Sequence, residues 1–150
     1  MVKSDAEKIF IYGVPGAGKT TVSAALHEKL QYSLVEADSL RELAQKEKTE
    51  HEDAFVYVGT TEAFRRFGKP TKDNMLKGLQ VVREHMAPYV LKEIARHNDA
   101  LIMEGAFLDP RRLAAYGKLL LITTSDTQRH RVQYFVHREQ DKEHLEAFQV

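Results

Sequence analysis

Gly13-Val14-Pro15-Gly16-Ala17-Gly18-Lys19-Thr20 satisfies the pattern G-x-x-x-x-G-K-[ST] without a mismatch. It follows the apolar run Ile9 to Val14 and precedes Lys19 to Leu30, where Val22, Ala25, Leu26 and Lys29 are spaced to lay one helical face on a sheet. Strand, glycine-rich turn and helix in that order form a phosphate cradle. The glycines let backbone amides curl around an anion, and the helix N-terminus adds a favourable dipole. In that setting Lys19 is expected to reach the β and γ phosphates of a bound nucleotide, and the Thr20 hydroxyl to ligate Mg²⁺. Val14, Pro15, Ala17 and Thr21 complete the expected nucleotide-binding loop.

Outward from this loop, three more apolar runs alternate with longer helical stretches: Leu34 to Ala37, Ala100 to Met103 and Leu119 to Thr123. Near-continuous apolar strands separated by helices predict an α/β fold, a parallel sheet of four to five strands buried on both faces. Ser39 with Glu42, Thr49 with Glu52 and Ser125 with Gln128 carry the reciprocal spacing of helix starts. The second pair predicts a helix stopping near Gly68, before Pro70. Met75, Leu79, Val82, Met86, Val90 and Ile94 then recur at helical spacing to about Asn98, with a kink expected at Pro88. Residues 39–98 therefore read as a helical insertion between strands two and three.

Composition narrows the classes. The 150 residues suit one domain, 1–150, and 43% of them are hydrophobic. Lys plus Arg and Asp plus Glu both number 22, so no basic field is available to hold a nucleic acid by counterion release. Cysteine is absent, which excludes disulfides and thiolate metal sites. No stretch approaches the apolar length of a membrane span, and Met1 to Lys8 is too polar for a signal peptide, so the default compartment is the cytoplasm. Oligomeric state is not legible.

Several side chains are candidates for chemistry, each with a plainer alternative. Glu104 ends an apolar strand, where a carboxylate can hold Mg²⁺ through water, or face solvent and cap the next turn. Asp38 stands at the end of strand two as a general base, or as the cap of a helix starting at Leu40. Arg41 offers a planar bidentate donor to an anionic acceptor, or pairs with Glu42 or Gln45. Arg65 and Arg66 suit a helix C-terminus regardless of ligand. In the helix expected from Asp126 to Gln140, Arg131, Tyr134 and Arg138 share one face beside the stripe Val132, Phe135 and Val136. That face reads as a short helical lid carrying catalytic arginines, or as a solvated basic surface. His130 and His137 lack a third metal-ligand spacing and read as surface histidines.

The glycine-rich loop, with its extra Gly16 and a short chain, resembles the nucleoside-phosphate kinase branch of P-loop NTPases. Asp38-Ser39-Leu40-Arg41 is similar to the segment where adenylate-kinase-like enzymes place Asp-x-Leu-Arg after strand two. Leu101 to Leu108, with Glu104-Gly105, resembles the third strand and turn of the archaeal 2-phosphoglycerate kinases, and residues 125–138 resemble their His-x-x-Phe/Tyr-x-x-Arg helix. This chain departs from the pattern in carrying Glu104 where aspartate is more usual and Phe107 where those kinases tend to have His. The resemblance implies a P-loop kinase using ATP and Mg²⁺ on a small anionic metabolite, 2-phosphoglycerate-like, with Asp38, Arg41, Glu104 and Gly105 on the acceptor side. It also implies a fifth strand and a base-holding loop near Val150, where the sequence stops. The alternatives are a nucleoside monophosphate kinase, a nucleotide-dependent switch or assembly ATPase, and a binding module without turnover. Against the switch, there is no Asn-Lys-x-Asp tetrapeptide and no Asp-Glu pair closing strand three.

Overall fold

A computed structural model describes residues 6–13 and 16–123. Its centre is a fully parallel sheet of four strands, β1 (Lys8–Tyr12), β2 (Ser33–Glu36), β3 (Leu101–Glu104) and β4 (Lys118–Leu121), in the order β2-β3-β1-β4. Each strand falls within about a residue or two of an apolar run in the sequence. The register pairs Ile11 with Glu104, Tyr12 with Leu121 and Glu36 with Glu104, so the carboxyl ends of β1, β2 and β3 finish side by side.

Strand alternation divides the core between two faces. Ile9, Ile11 and Ile102 point to one side and meet Val22 and Leu26 of α1 (Lys19–Leu30). Phe10, Leu101 and Met103 point to the other, where they join Leu40 and Ala44 of α2 (Asp38–Glu47) and Val82, Met86, Val90 and Ile94 of α3 (Lys72–Arg96). The stripe read in α3 is buried from Val82 to Ile94 and only partly so at Met75 and Leu79, and α3 runs through Pro88 as a single helix. On α1 the expected face is only half right. Val22 and Leu26 are partly buried and Ser23 fully, whereas Ala25 and Lys29 are exposed, because the helix turns Lys19 and Ser23 inward instead.

Two helix starts differ from the sequence reading. α2 is capped by Ala37 and begins at Asp38, and the Ser39 hydroxyl donates back to the Glu36 carbonyl at 2.8 Å instead of accepting an amide. Thr49 and Glu52 do form the reciprocal pair. The Thr49 amide donates to Glu52 Oε1 at 3.1 Å and the Glu52 amide to Thr49 Oγ1 at 3.2 Å. Yet the helix expected from there to Gly68 does not follow. The chain makes two 3₁₀ turns, Ala54–Val56 and Ala63–Arg66, joined by an irregular wall containing Val58-Gly59-Thr60-Thr61. The Val56 and Val58 carbonyls are taken by side chains of α2, so a helical ladder loses two acceptors, and β-branched residues and glycine favour helix too weakly to compensate. α3 starts instead at Thr71, whose hydroxyl accepts the Asn74 amide at 3.2 Å.

After β3 the chain turns through Gly105 to Asp109 into a single turn of helix, α4 (Pro110–Leu113), then rejoins the sheet at β4. The fifth strand and the helix expected from Asp126 to Gln140, with Arg131 and Arg138, lie outside the described residues.

Candidate functional site

The sheet order places a switch of direction between β1 and β3, the position where open α/β sheets leave a crevice at the carboxyl ends of the strands. A cleft of about 530 Å³ opens there. Gly16, Lys19 and Thr20 line it from the turn after β1, Asp38 from the end of β2, and Glu104 to Phe107 from the end of β3. The backbone of the first turn requires its glycines. Gly16 has φ 83° and Gly18 φ 103°, in the left-handed region where a side chain is strained. Gly13, at φ 146°, is pressed against β4's exit: a Cβ there would stand 2.4 Å from the Ile122 carbonyl oxygen. Val14 and Pro15 lie outside the described residues. Thr21 is exposed and does not line the cleft.

Lys19 is only 9% exposed and Glu104 only 8%, so an ammonium and a carboxylate face the cleft with little water around them. Burial raises the Glu104 carboxyl above its ordinary 4.5. The Lys19 charge works against that shift, the Glu36 and Asp38 carboxylates add to it, and a hydrogen bond from the Thr20 hydroxyl lowers it. Glu104 therefore does not face solvent. Its neighbour Gly105 allows close packing, since a Cβ there would meet Ala37 Cβ at 2.7 Å.

A hydroxyl at Thr20 beside carboxylates at Glu104 and Asp38 is a hard oxygen donor set, which fits Mg²⁺. Among the described residues no group of three or more His, Cys, Asp or Glu could hold a metal ion by itself.

Asp38 is exposed to the cleft and makes no side-chain cap to α2, so the capping alternative is not what the structure contains. Arg41 also lines the cleft, but its Nη1 donates to the Val56 carbonyl at 3.2 Å and the Val58 carbonyl at 2.7 Å. Its guanidinium lies over the Phe107 ring, 5.3 Å from the centroid. Burial lowers the Arg41 pKa and the Asp38 carboxylate partly restores it. The expected pairing of Arg41 with Gln45 takes a different form, in which both donate to the same Val56 carbonyl, Gln45 Nε2 at 3.0 Å.

Gly59, Thr60, Thr61 and Glu62 close the far side of the cleft and were not among the candidates. A glycine followed by two threonines is a turn signal. The Thr49–Glu52 pair had drawn that stretch into a helix. Arg65 and Arg66 stand in the last turn of the 3₁₀ helix Ala63–Arg66, and Arg65, which is exposed, pairs with Glu62 at 2.8 Å.

A family model described as an AAA domain matches residues 9–129. The chain belongs to that family. No curated protein matches it in sequence. Among solved structures, the AAA-domain chain is similar to TT1252 from Thermus thermophilus, at 21% identity and TM-score 0.57 over 96% of this chain and 78% of that one. It is similar also to shikimate kinase from Bacteroides thetaiotaomicron, at 19% identity and TM-score 0.54 over 91% and 67% of the two chains. A shikimate kinase from Acinetobacter baumannii in complex with shikimate aligns at 16% identity and TM-score 0.52, over 97% and 74%. These likenesses establish the α/β P-loop fold.

Proposed function

We propose that the protein transfers the γ-phosphoryl group of ATP to a hydroxyl of a small metabolite. The observation that carries this reading is the convergence on one cleft of Lys19 and Thr20, Asp38, and Glu104, each from the end of a different strand. Lys19 and the amides around Gly16 and Gly18 would bind the β and γ phosphates and neutralise charge as it develops on the transferred group. Thr20 and Glu104 are the residues that would hold Mg²⁺, which would offset the negative charge of the phosphates. Asp38 would take the proton at the acceptor oxygen. Fold likeness to shikimate kinases supports the small-metabolite class.

Room beyond the phosphate loop favours a second substrate over a hydrolytic switch, because the cleft continues past Asp38 to Phe107 and Thr60. The test is ATP consumption measured with water alone and with a panel of alcohols, sugar acids, 2-phosphoglycerate and AMP. Turnover that needs an acceptor is expected, and Lys19→Ala is expected to abolish it with the circular dichroism spectrum unchanged. Turnover with water alone would favour the switch, and undiminished turnover in Lys19→Ala would remove the phosphate loop from the reaction.

A further inference from the structure

Arg83 of α3 carries a half-buried guanidinium that no described residue holds. Among the described residues it makes no hydrogen bond and no ion pair, and its Nε is closed off from solvent without an acceptor. An arginine keeps its charge in a protein, and a buried donor left unmet costs stability. Burial lowers the Arg83 pKa, Asp109 and Tyr12 work against that shift, and Arg111 adds to it.

The helical spacing of Arg83, Ala87 and Val90 brings all three to one small pocket, which Phe107, Asp109 and Arg112 close from the other side. It measures about 10 Å³, room for one oxygen atom. Among the described residues Phe107 alone lines both this pocket and the cleft, so the two are separate sites with a common wall. Three guanidiniums surround Asp109 here. Its carboxylate accepts the Arg111 amide at 3.1 Å and pairs with Arg111 Nε at 3.6 Å and Arg112 Nε at 3.5 Å, while Arg83 stands beyond ion-pair distance. Among the described residues, three guanidiniums against one carboxylate leave two positive charges unbalanced. One carboxylate also cannot occupy the donors of three arginines. Asp109 already caps the single turn of α4, so side chains supply the attraction and the turn does not.

A ligand carboxylate would bring one charge and two oxygens in a plane. A phosphate brings close to two charges and oxygens in several directions, which matches guanidiniums converging from α3 and α4. We propose that Arg83, Arg111 and Arg112 form an oxyanion site for a phosphate group, behind Phe107 and apart from the phosphate loop. One phosphate oxygen enters the pocket to meet the Nη groups of Arg83, and the others meet Arg111 and Arg112, which reach the surface. Inorganic phosphate and a phosphate monoester offer the same chemistry.

Arginine Nε–H resonances read the site by NMR in the full chain. Inorganic phosphate, glycerol 3-phosphate and acetate are titrated in turn, with sodium chloride at matched ionic strength as the blank. Saturable shifts are expected at the Nε–H of Arg83 and Arg112 and at the Arg111 and Arg112 amides. Phosphate should produce them at a concentration lower than acetate by about tenfold or more, as for one charge-assisted hydrogen bond. Arg83→Gln should weaken the response at Arg111 and Arg112 by about tenfold, and half-exposed Arg112→Gln that at Arg83 by a similar factor. The stronger of the two phosphates separates the free ion from the monoester as the source. Shifts that follow the chloride blank, an acetate response equal to that of phosphate, or an unweakened response in both variants overturn the site, and the wild-type titration decides it even where Arg83→Gln fails to fold. Phosphate at the nucleotide loop is read apart, at the Gly18 and Lys19 amides, and Lys19→Ala should abolish that response alone. Loss of the Arg83 shift in Lys19→Ala would make it a relay from the phosphate loop and overturn the second site.

Discussion

Glu104 ends β3 with its carboxylate held out of water, and that placement has a sign that can be worked out. In the unfolded chain the group titrates near 4.5, whereas in the fold burial keeps it protonated to higher pH. Below about 4.5 both states are neutral and Glu104 costs the fold nothing. As pH rises through the folded value the native state must bury a charge, and stability is lost. Glu104→Gln should therefore melt with wild type at pH 4 and above it at pH 8, both measured by thermal unfolding in metal-free buffer. Indistinguishable melting temperatures at pH 8 would mean that Lys19 and Thr20 fully compensate the buried charge.

Asp38 makes a different case at the same scale. As the first residue of α2 it gains only the interaction of an acidic group with the helix N-terminus, about 0.3–1 kcal/mol. Asp38→Asn should thus barely shift the melting temperature. With a hydroxyl acceptor its kcat should fall by roughly the 10²–10⁴-fold typical of a lost general base, the acceptor KM changing little. A kcat loss below about threefold, well under that range, would assign the proton to another acceptor. The phosphate loop, Asp38 and Glu104 were all legible in sequence, because motif and strand-end position coincide. The Thr60-Thr61 wall was not. Its place in the cleft depends on contacts from α2 and α3 that no local pattern encodes.

At the level of elements, a capping pair proved to be a local hydrogen-bond device and not a guarantee of a helix. Thr49 and Glu52 satisfy each other's amides as the pattern requires, and the chain still leaves the helical path because Arg41, Gln45 and His85 offer its backbone and Asp53 better partners. Ser39 shows the converse, a capping sequence inside a helix that had already begun. Apolar periodicity was the more dependable guide in α3, and on α1 it held for Val22 and Leu26 but not for Ala25 and Lys29, because Lys19 and Ser23 take the buried positions. Gly78 tests the packing of α3 on the second 3₁₀ turn. Alanine would gain about 1 kcal/mol of helix propensity, but its methyl would collide with backbone at Ala63 and Phe64. We expect Gly78→Ala to destabilise by about 1–3 kcal/mol in urea titration, the usual cost of overpacking. Stabilisation instead would show that the turn can draw back from α3 freely.

For the molecule as a whole, the parallel sheet and its helical cover followed from four apolar runs alone, whereas the identity of β1's neighbours comes only from the structure. That order carries a consequence for synthesis. β1 pairs with β3 and β4, and β2 pairs with β3, so no two strands among the first hundred residues are partners. Sheet formation must wait until Leu101 to Glu104 is available, and the closure of so long a loop is slow relative to local helix formation. On the ribosome, nascent chains arrested before residue 100 clears the exit tunnel should therefore be digested readily by added protease, while chains extended past β4 should resist it. Protection appearing in the shorter chains would point to a stable helical subdomain built by α2 and α3 alone. Absent such a subdomain, the phosphate loop is made well before the strands that complete its site, and its apolar strand stays exposed to aggregation in the interval.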